Sequence, residues 1–255
     1  MTVLFDANGR CIPGPLEAKV QRKVRRYFRC DQPKYSLNDI YERAGRFIGE
    51  LTLGVEEFKE HVTRMIREIR EDPNLANLLS GPFVPFILPQ QPEDDIGKLL
   101  QQKYLPAVAN AFYDTYPNYE FIDHNKTPVL DRLRVAAATR HQELLEKLAD
   151  SDVVGIYFPA FDGYSLAAAR EQISYLPPSF SLAGSADTCG ALVAYPGLLM
   201  RHDGYAPLVW FGALETENSD EGFHIEAYGY NLNFNRRMHL GNADEYWASG
   251  LVFSN

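Results

Sequence analysis

Four side chains in the second half of the chain are of types that perform chemistry: the thiol of Cys189, the imidazoles of His202 and His224, and the carboxylate of Asp162. A nucleophilic thiol needs a base within hydrogen-bond reach, and either histidine is of the right type to serve Cys189 in the folded chain. The competing reading is a packed, inert thiol, since cysteine is among the most buried residue types, and the sequence favours it. His224 and Glu226 stand two apart in a run of strand character, so both point to one face. With His202, His239 or Asp244 they would have the donor atoms for a metal. No H-x-H or H-x-x-x-H pattern accompanies them. The expectation is a solvent-facing, cross-strand polar pair, with no metal and no cofactor.

Asp162, Tyr164 and Ser165 lie where a strand ending at Phe158 feeds a helix, a common place for ligands and anions. The stretch has a single glycine, Gly163, and neither a G-x-G-x-x-G pattern nor a phosphate-loop lysine. A plain Asp-Gly turn before a helix capped by Ser165 accounts for the same residues.

Charge supplies the other candidate. The net charge of −9 speaks against a nucleic-acid binder. Yet residues 10–29 carry seven basic side chains against Glu17 alone, a net of +6, which leaves −15 on the remainder. Leu16, Val20, Val24 and Phe28 follow one another at i+4 steps, so the spacing predicts a helix from Pro15 with a narrow apolar stripe. On such a helix Arg22, Arg25, Arg26 and Arg29 fill most of the remaining circumference. They are expected to pair with the protein's own acidic surface or to dock an acidic protein partner.

The elements that must position these groups divide at about residue 150. Residues 1–150 read as helical. Ser36 and Asp39 have capping-box spacing ahead of a stripe from Leu37 to Leu51, and a second stripe runs from Val55 to Ile69, giving a helical hairpin. Residues 81–92 hold four prolines in an apolar setting, which predicts an extended segment packed against the body. A helix spans residues 96–112 with a kink or break at Pro106, and another is expected from Pro128 to Leu148. Residues 151–255 read as a mixed region: a strand at 153–158, a helix from Ser165, then antiparallel strands at 208–211, 223–234 and 246–253. Within 223–234 the apolar face switches sides near residues 227–229, which predicts a β-bulge or a strand passing from one packing partner to another.

The fold class is therefore α+β, a helical N-terminal half packed with a mixed, mainly antiparallel β-rich C-terminal half. No apolar run is long enough for a spanning helix, residues 1–10 lack the features of a secretory signal, and Cys11, Cys30 and Cys189 form no paired motif. A cytoplasmic location is expected. Because each catalytic constellation has a simpler explanation, the first functional expectation is an accessory protein that docks to another macromolecule. The second is a small-molecule enzyme with a site between the two halves.

Overall fold

The computed structural model describes residues 3–125 and 127–254, so Met1, Thr2, Lys126 and Asn255 lie outside it. The chain adopts an α+β architecture. Its helices are α1 (Leu37–Phe47), α2 (Val55–Glu71), α3 (Ile96–Leu99), α4 (Leu105–Thr115), α5 (His141–Asp150), α6 (Leu166–Gln172) and α7 (Ser185–Ala194). Its strands are β1 (Val84–Leu88), β2 (Phe121–Asp123), β3 (Arg134–Val135), β4 (Val153–Phe158), β5 (Phe180–Leu182), β6 (Leu208–Trp210), β7 (Leu214–Glu215), β8 (Glu221–Tyr228), β9 (Asn231–Met238), β10 (Trp247–Ser249) and β11 (Leu251–Ser254). Among the described residues no helix is long and apolar enough to cross a membrane.

A four-stranded sheet has the order β1-β4-β11-β5, every pairing antiparallel. The proline-dense segment supplies β1. Pro85 has no N–H to give a ladder, and the edge position of this strand makes that tolerable. Helices α1 and α7 pack on β1, which explains why all five of its residues are buried despite the edge position. Helix α7 is buried along its whole length, matching its nearly uncharged sequence.

A five-stranded sheet has the order β10-β6-β8-β9-β2. Here the face switch within 223–234 has a different cause from the expected bulge. Residues 221–238 form two strands, not one, joined by a two-residue hairpin at Gly229 and Tyr230. Both have positive φ, +59° and +67°. Two positive φ values in a two-residue loop match the right-handed twist of the flanking strands. The turn reverses the chain, so Phe223 and Ile225 on β8 and Leu232 and Phe234 on β9 all face the main core. Tyrosine seldom occupies this backbone region, so the Gly-Tyr pair hid the hairpin.

One expected helix does not form, and the helix expected from Pro128 begins late. Residues 12–25 follow an irregular, bent path with a single bridge at Val20, and only a short 3₁₀ turn at Arg26–Phe28 follows. The backbone bonds that would build a helix go elsewhere. Gln21 N–H donates to Gly163 O at 2.8 Å, Lys19 O accepts from Ser165 N–H at 3.0 Å, and Val20 bridges Tyr164. The guanidinium of Arg10 donates to the carbonyls of Gln21 and Arg22. Residues 128–140 likewise stay irregular, with left-handed conformations at Asp131, Ala138 and Arg140, and β3 pairs with β7. Helix begins only at His141. The helical stretch is divided close to Pro106: a π-helical segment, Leu100–Tyr104, separates α3 from α4, and Pro106 stands in the first turn of α4, where a missing N–H is tolerated.

Candidate functional site

The two faces of the β8–β9 hairpin differ sharply. His224, Glu226 and Tyr228 of β8 alternate with the core-facing residues, and the register sets His224 opposite Asn235 and Glu226 opposite Asn233. Arg237 lies two residues further along the same face of β9. At one end this second face is closed by a small apolar cluster of Leu166, Leu208, Trp210, Leu240 and Trp247. At the other it opens into a cleft of about 590 Å³ whose lining includes Glu226, Asn233, Asn235, Arg237 and His124. Five of the ten lining residues are aromatic: Tyr27, Phe28, Tyr205, Tyr228 and Tyr246.

Glu226 is the electrostatic centre of the floor. Its residue is only 8% exposed. One carboxylate oxygen lies 3.3 Å from His224 Nε2 and the other 3.5 Å from Arg237 Nη2. Desolvation pushes the carboxyl pKa up, but the hydrogen bonds from His224 and Asn235 and the charge of Arg237 outweigh it and hold Glu226 below the usual carboxylate range. Burial pushes the imidazole of His224 down, against the pull of Glu226. At neutral pH the arrangement is a neutral His224 donating from Nε2 to an ionised Glu226, its ring held edge-on against Trp210 at 4.9 Å. Arg237 also donates to the Tyr246 hydroxyl at 3.2 Å and lies over that ring. His124 Nε2 is 2.9 Å from Asn233 Oδ1. The floor therefore carries one anion and one cation that neutralise each other, with amides and a fixed imidazole beside them.

The N-terminal arm supplies one wall. Tyr27 and Phe28 come from the 3₁₀ turn, edge-to-face at 5.2 Å, and Phe28 is 6.3 Å from Tyr246 at a 47° tilt. The turn is fastened to the body by Tyr205 N–H, which donates to Tyr27 O at 2.8 Å. Arg201, its side chain almost wholly buried, donates to the carbonyls of Arg26 and Arg29. Asp203 and Asp31 lie 2.6 and 3.4 Å from its guanidinium.

The residues singled out from the sequence go to separate places. Cys189 lies inside α7, fully buried, with its thiol pushed well above its ordinary pKa by desolvation and the nearby Asp187. His202 is exposed and lines a second, smaller cleft of about 200 Å³ with Tyr205 and Tyr230. His224 lies behind Glu226. Among the described residues no group of three metal-ligating side chains forms, there or elsewhere. Asp162 sits under the arm, 3.9 Å from Arg29 Nε, and the backbone carbonyl of the same aspartate accepts from Arg10 Nε at 2.8 Å. Of the four arginines proposed for a partner, Arg25 pairs with Glu245 at 2.6 Å, Arg26 with Asp31 and Arg29 with Asp162, while Arg22 is exposed.

Sequence reasoning found Glu226 and His224 but missed His124, Asn233, Asn235, Arg237 and the aromatic wall. The signal for three of them was present: Asn233, Asn235 and Arg237 alternate with Leu232, Phe234 and Arg236 at period two, which marks one polar strand face. The aromatic wall had none, because its residues come from positions 27–28, 205, 228 and 246. No protein-family model, no curated protein and no solved structure matches the chain.

Proposed function

We propose that this is a non-catalytic binding protein whose cleft on the β8–β9 face takes a small, uncharged, hydrogen-bonding ligand. The observation that carries this reading is the self-neutralised floor, Glu226 against Arg237, inside a wall of five aromatic rings. Aromatic surface with a few fixed polar groups is the usual make-up of a ligand site. A charged ligand would have to break the internal pair, whereas a neutral one meets donors and acceptors already in place. General acid–base work needs a group with a pKa near neutrality, and Glu226 is held low while His224 is buried behind it. The nucleophile, Cys189, lies inside a core helix with no role in this cleft. The three cysteines are free and buried, which supports the cytoplasmic setting expected from the sequence.

The test is chemical-shift mapping with a panel of neutral saccharides and nucleosides, with choline as the cationic control that should leave these signals unmoved. Binding should move the amide signals of Glu226, Asn233 and Asn235 together, and Tyr228→Ala should weaken it at least tenfold. Tyr228 is 68% exposed, so its removal leaves the fold intact. If no compound shifts these signals, or if those that bind do so elsewhere, the reading is wrong.

A further inference from the structure

We infer that the protein has a second binding site, for a small tetrahedral oxyanion of the phosphate or sulfate type, in the cavity between the N-terminal arm and the loop after β4. The cavity has a volume of about 170 Å³ and is lined by Arg10, Arg26, Arg29 and Asp162, with the exposed Gln32 and Ser80 at its rim. It shares no lining residue with the cleft at Glu226, so the inference stands or falls separately from the binding reading above.

Size sets the first limit. Clefts for drug-sized ligands run to about 300–1,000 Å³, while a water molecule takes up about 30 Å³ of the liquid. The space fits one small ion with some of its hydration and is too small for a nucleotide or a sugar chain.

Charge selects the sign. Three guanidinium groups line the cavity against a single carboxyl. Arg26 has its own partner in Asp31. Arg10 is only 8% exposed, and it is held by the carbonyls of Asp162, Gln21 and Arg22, with no carboxylate paired to it among the described residues. A buried charge is costly unless it is paired. A metal cation would stand among these arginines, whereas an anion supplies the charge they lack.

Hydrogen bonding marks the place. Arg29 Nη2 donates to Val24 O at 3.2 Å, but its Nε is buried and meets no acceptor among the described residues. Asp162 Oδ2 lies 3.9 Å from that nitrogen, beyond hydrogen-bond reach, and the bond Asp162 accepts from Arg10 Nε goes to its backbone carbonyl. A donor without an acceptor and a carboxyl without a partner thus face one cavity. An oxyanion resting there accepts from Arg29 Nε and from the protonated carboxyl of Asp162, and the Ser80 hydroxyl and Gln32 amide add donors at the rim. These groups come from separate segments of the chain. Such a setting suits an ion with oxygens at the corners of a tetrahedron better than the two coplanar oxygens of a carboxylate.

The proton on Asp162 belongs to the site. Burial raises this carboxyl to about 7, opposed by Arg29, Arg10 and Arg26 and assisted by Asp6. Cys30 also lines the cavity and keeps its own proton, since burial pushes its thiol far above the ordinary range. Below about pH 7 the anion meets an acid that donates to it. Above that pH a proton must be taken up for each anion bound, so affinity falls as the pH rises.

The deciding experiment is titration calorimetry with sodium sulfate, whose charge is constant between pH 6 and 8.5, beside sodium acetate and sodium chloride at matched ionic strength. One sulfate should bind per chain at pH 6, and its affinity should fall at least tenfold by pH 8.5. Asp162→Asn, whose amide donates at every pH, should bind sulfate equally at both ends of that range. Arg29→Gln should weaken binding at least tenfold at pH 6. If sulfate gives no more heat than chloride, the arginines only fasten the arm and the inference is refuted. It also fails if sulfate binds but neither substitution alters the affinity or its pH profile, because the ion then lies elsewhere. Acetate binding as tightly as sulfate refutes the tetrahedral class, and a wild-type affinity that stays flat with pH refutes the part given to Asp162. Should Arg29→Gln fail to fold, the pH profile of Asp162→Asn against wild type decides.

Discussion

Replacing Asp162 by Asn should stabilise the protein, and more so as the pH rises. Asp162 was a candidate for chemistry by sequence, but it lies beneath the N-terminal arm with its side chain 11% exposed and Arg29 Nε 3.9 Å away. Burial pushes its carboxyl up to about 7 from 3.8, against the opposing charges of Arg29 and Arg10. An aspartate whose folded-state pKa is raised holds its proton while the unfolded chain loses one. The stability it contributes is therefore complete below about pH 4 and is lost as the pH climbs to about 7. A shift of about three units corresponds to about 4 kcal/mol of penalty once both states are ionised. Asparagine has the same shape and no charge to bury. The stability difference between variant and wild type should thus be small at pH 4.5 and grow by about 3 kcal/mol by pH 8.5. Urea denaturation of both proteins across that range measures it, and taking the difference cancels every other titrating group. If Asp162→Asn is the less stable protein at pH 8.5, the ion pair with Arg29 outweighs burial and the reasoning fails.

Gly184→Ala should be poorly tolerated, because a Cβ there would stand 2.3 Å from Nε2 of the fully buried His141. Forced overpacking of this kind costs about 1–3 kcal/mol; thermal denaturation should show it, and His141→Ala in the same chain should recover part of the loss. A drop below about 0.5 kcal/mol would mean that the site can give way. Iodoacetamide at pH 8 should leave Cys11, Cys30 and Cys189 unmodified in the folded protein and label all three in urea, since each is buried and each thiol is pushed above its ordinary pKa by desolvation. Rapid labelling of Cys189 alone, read by mass spectrometry, would restore it as a candidate nucleophile.

Periodicity alone determined much of this protein. The stripes at 37–51 and 55–69 become α1, which ends at Phe47, and α2, which runs to Glu71; the apolar run at 153–158 becomes β4, and Ser165 caps α6 through its hydroxyl, which accepts from Ala168 N–H at 3.1 Å. In each case the signal is local, since the same few residues that carry the pattern also make the backbone bonds. The pairing of His224 with Glu226 was legible for the same reason, two residues on one face of a strand. What only the tertiary structure decided are the places where backbone groups bond at long range. The stripe at 16–28 has helical spacing, yet Gly163, Ser165 and the guanidinium of Arg10 take the hydrogen bonds a helix would need, and the arm follows an irregular path along the body. That one outcome sets Tyr27 and Phe28 beside Tyr246 and so builds a wall of the cleft. Residues separated by some 200 positions meet there because sheet pairing and the Arg201 clamp bring them together, and no spacing along the chain records either contact.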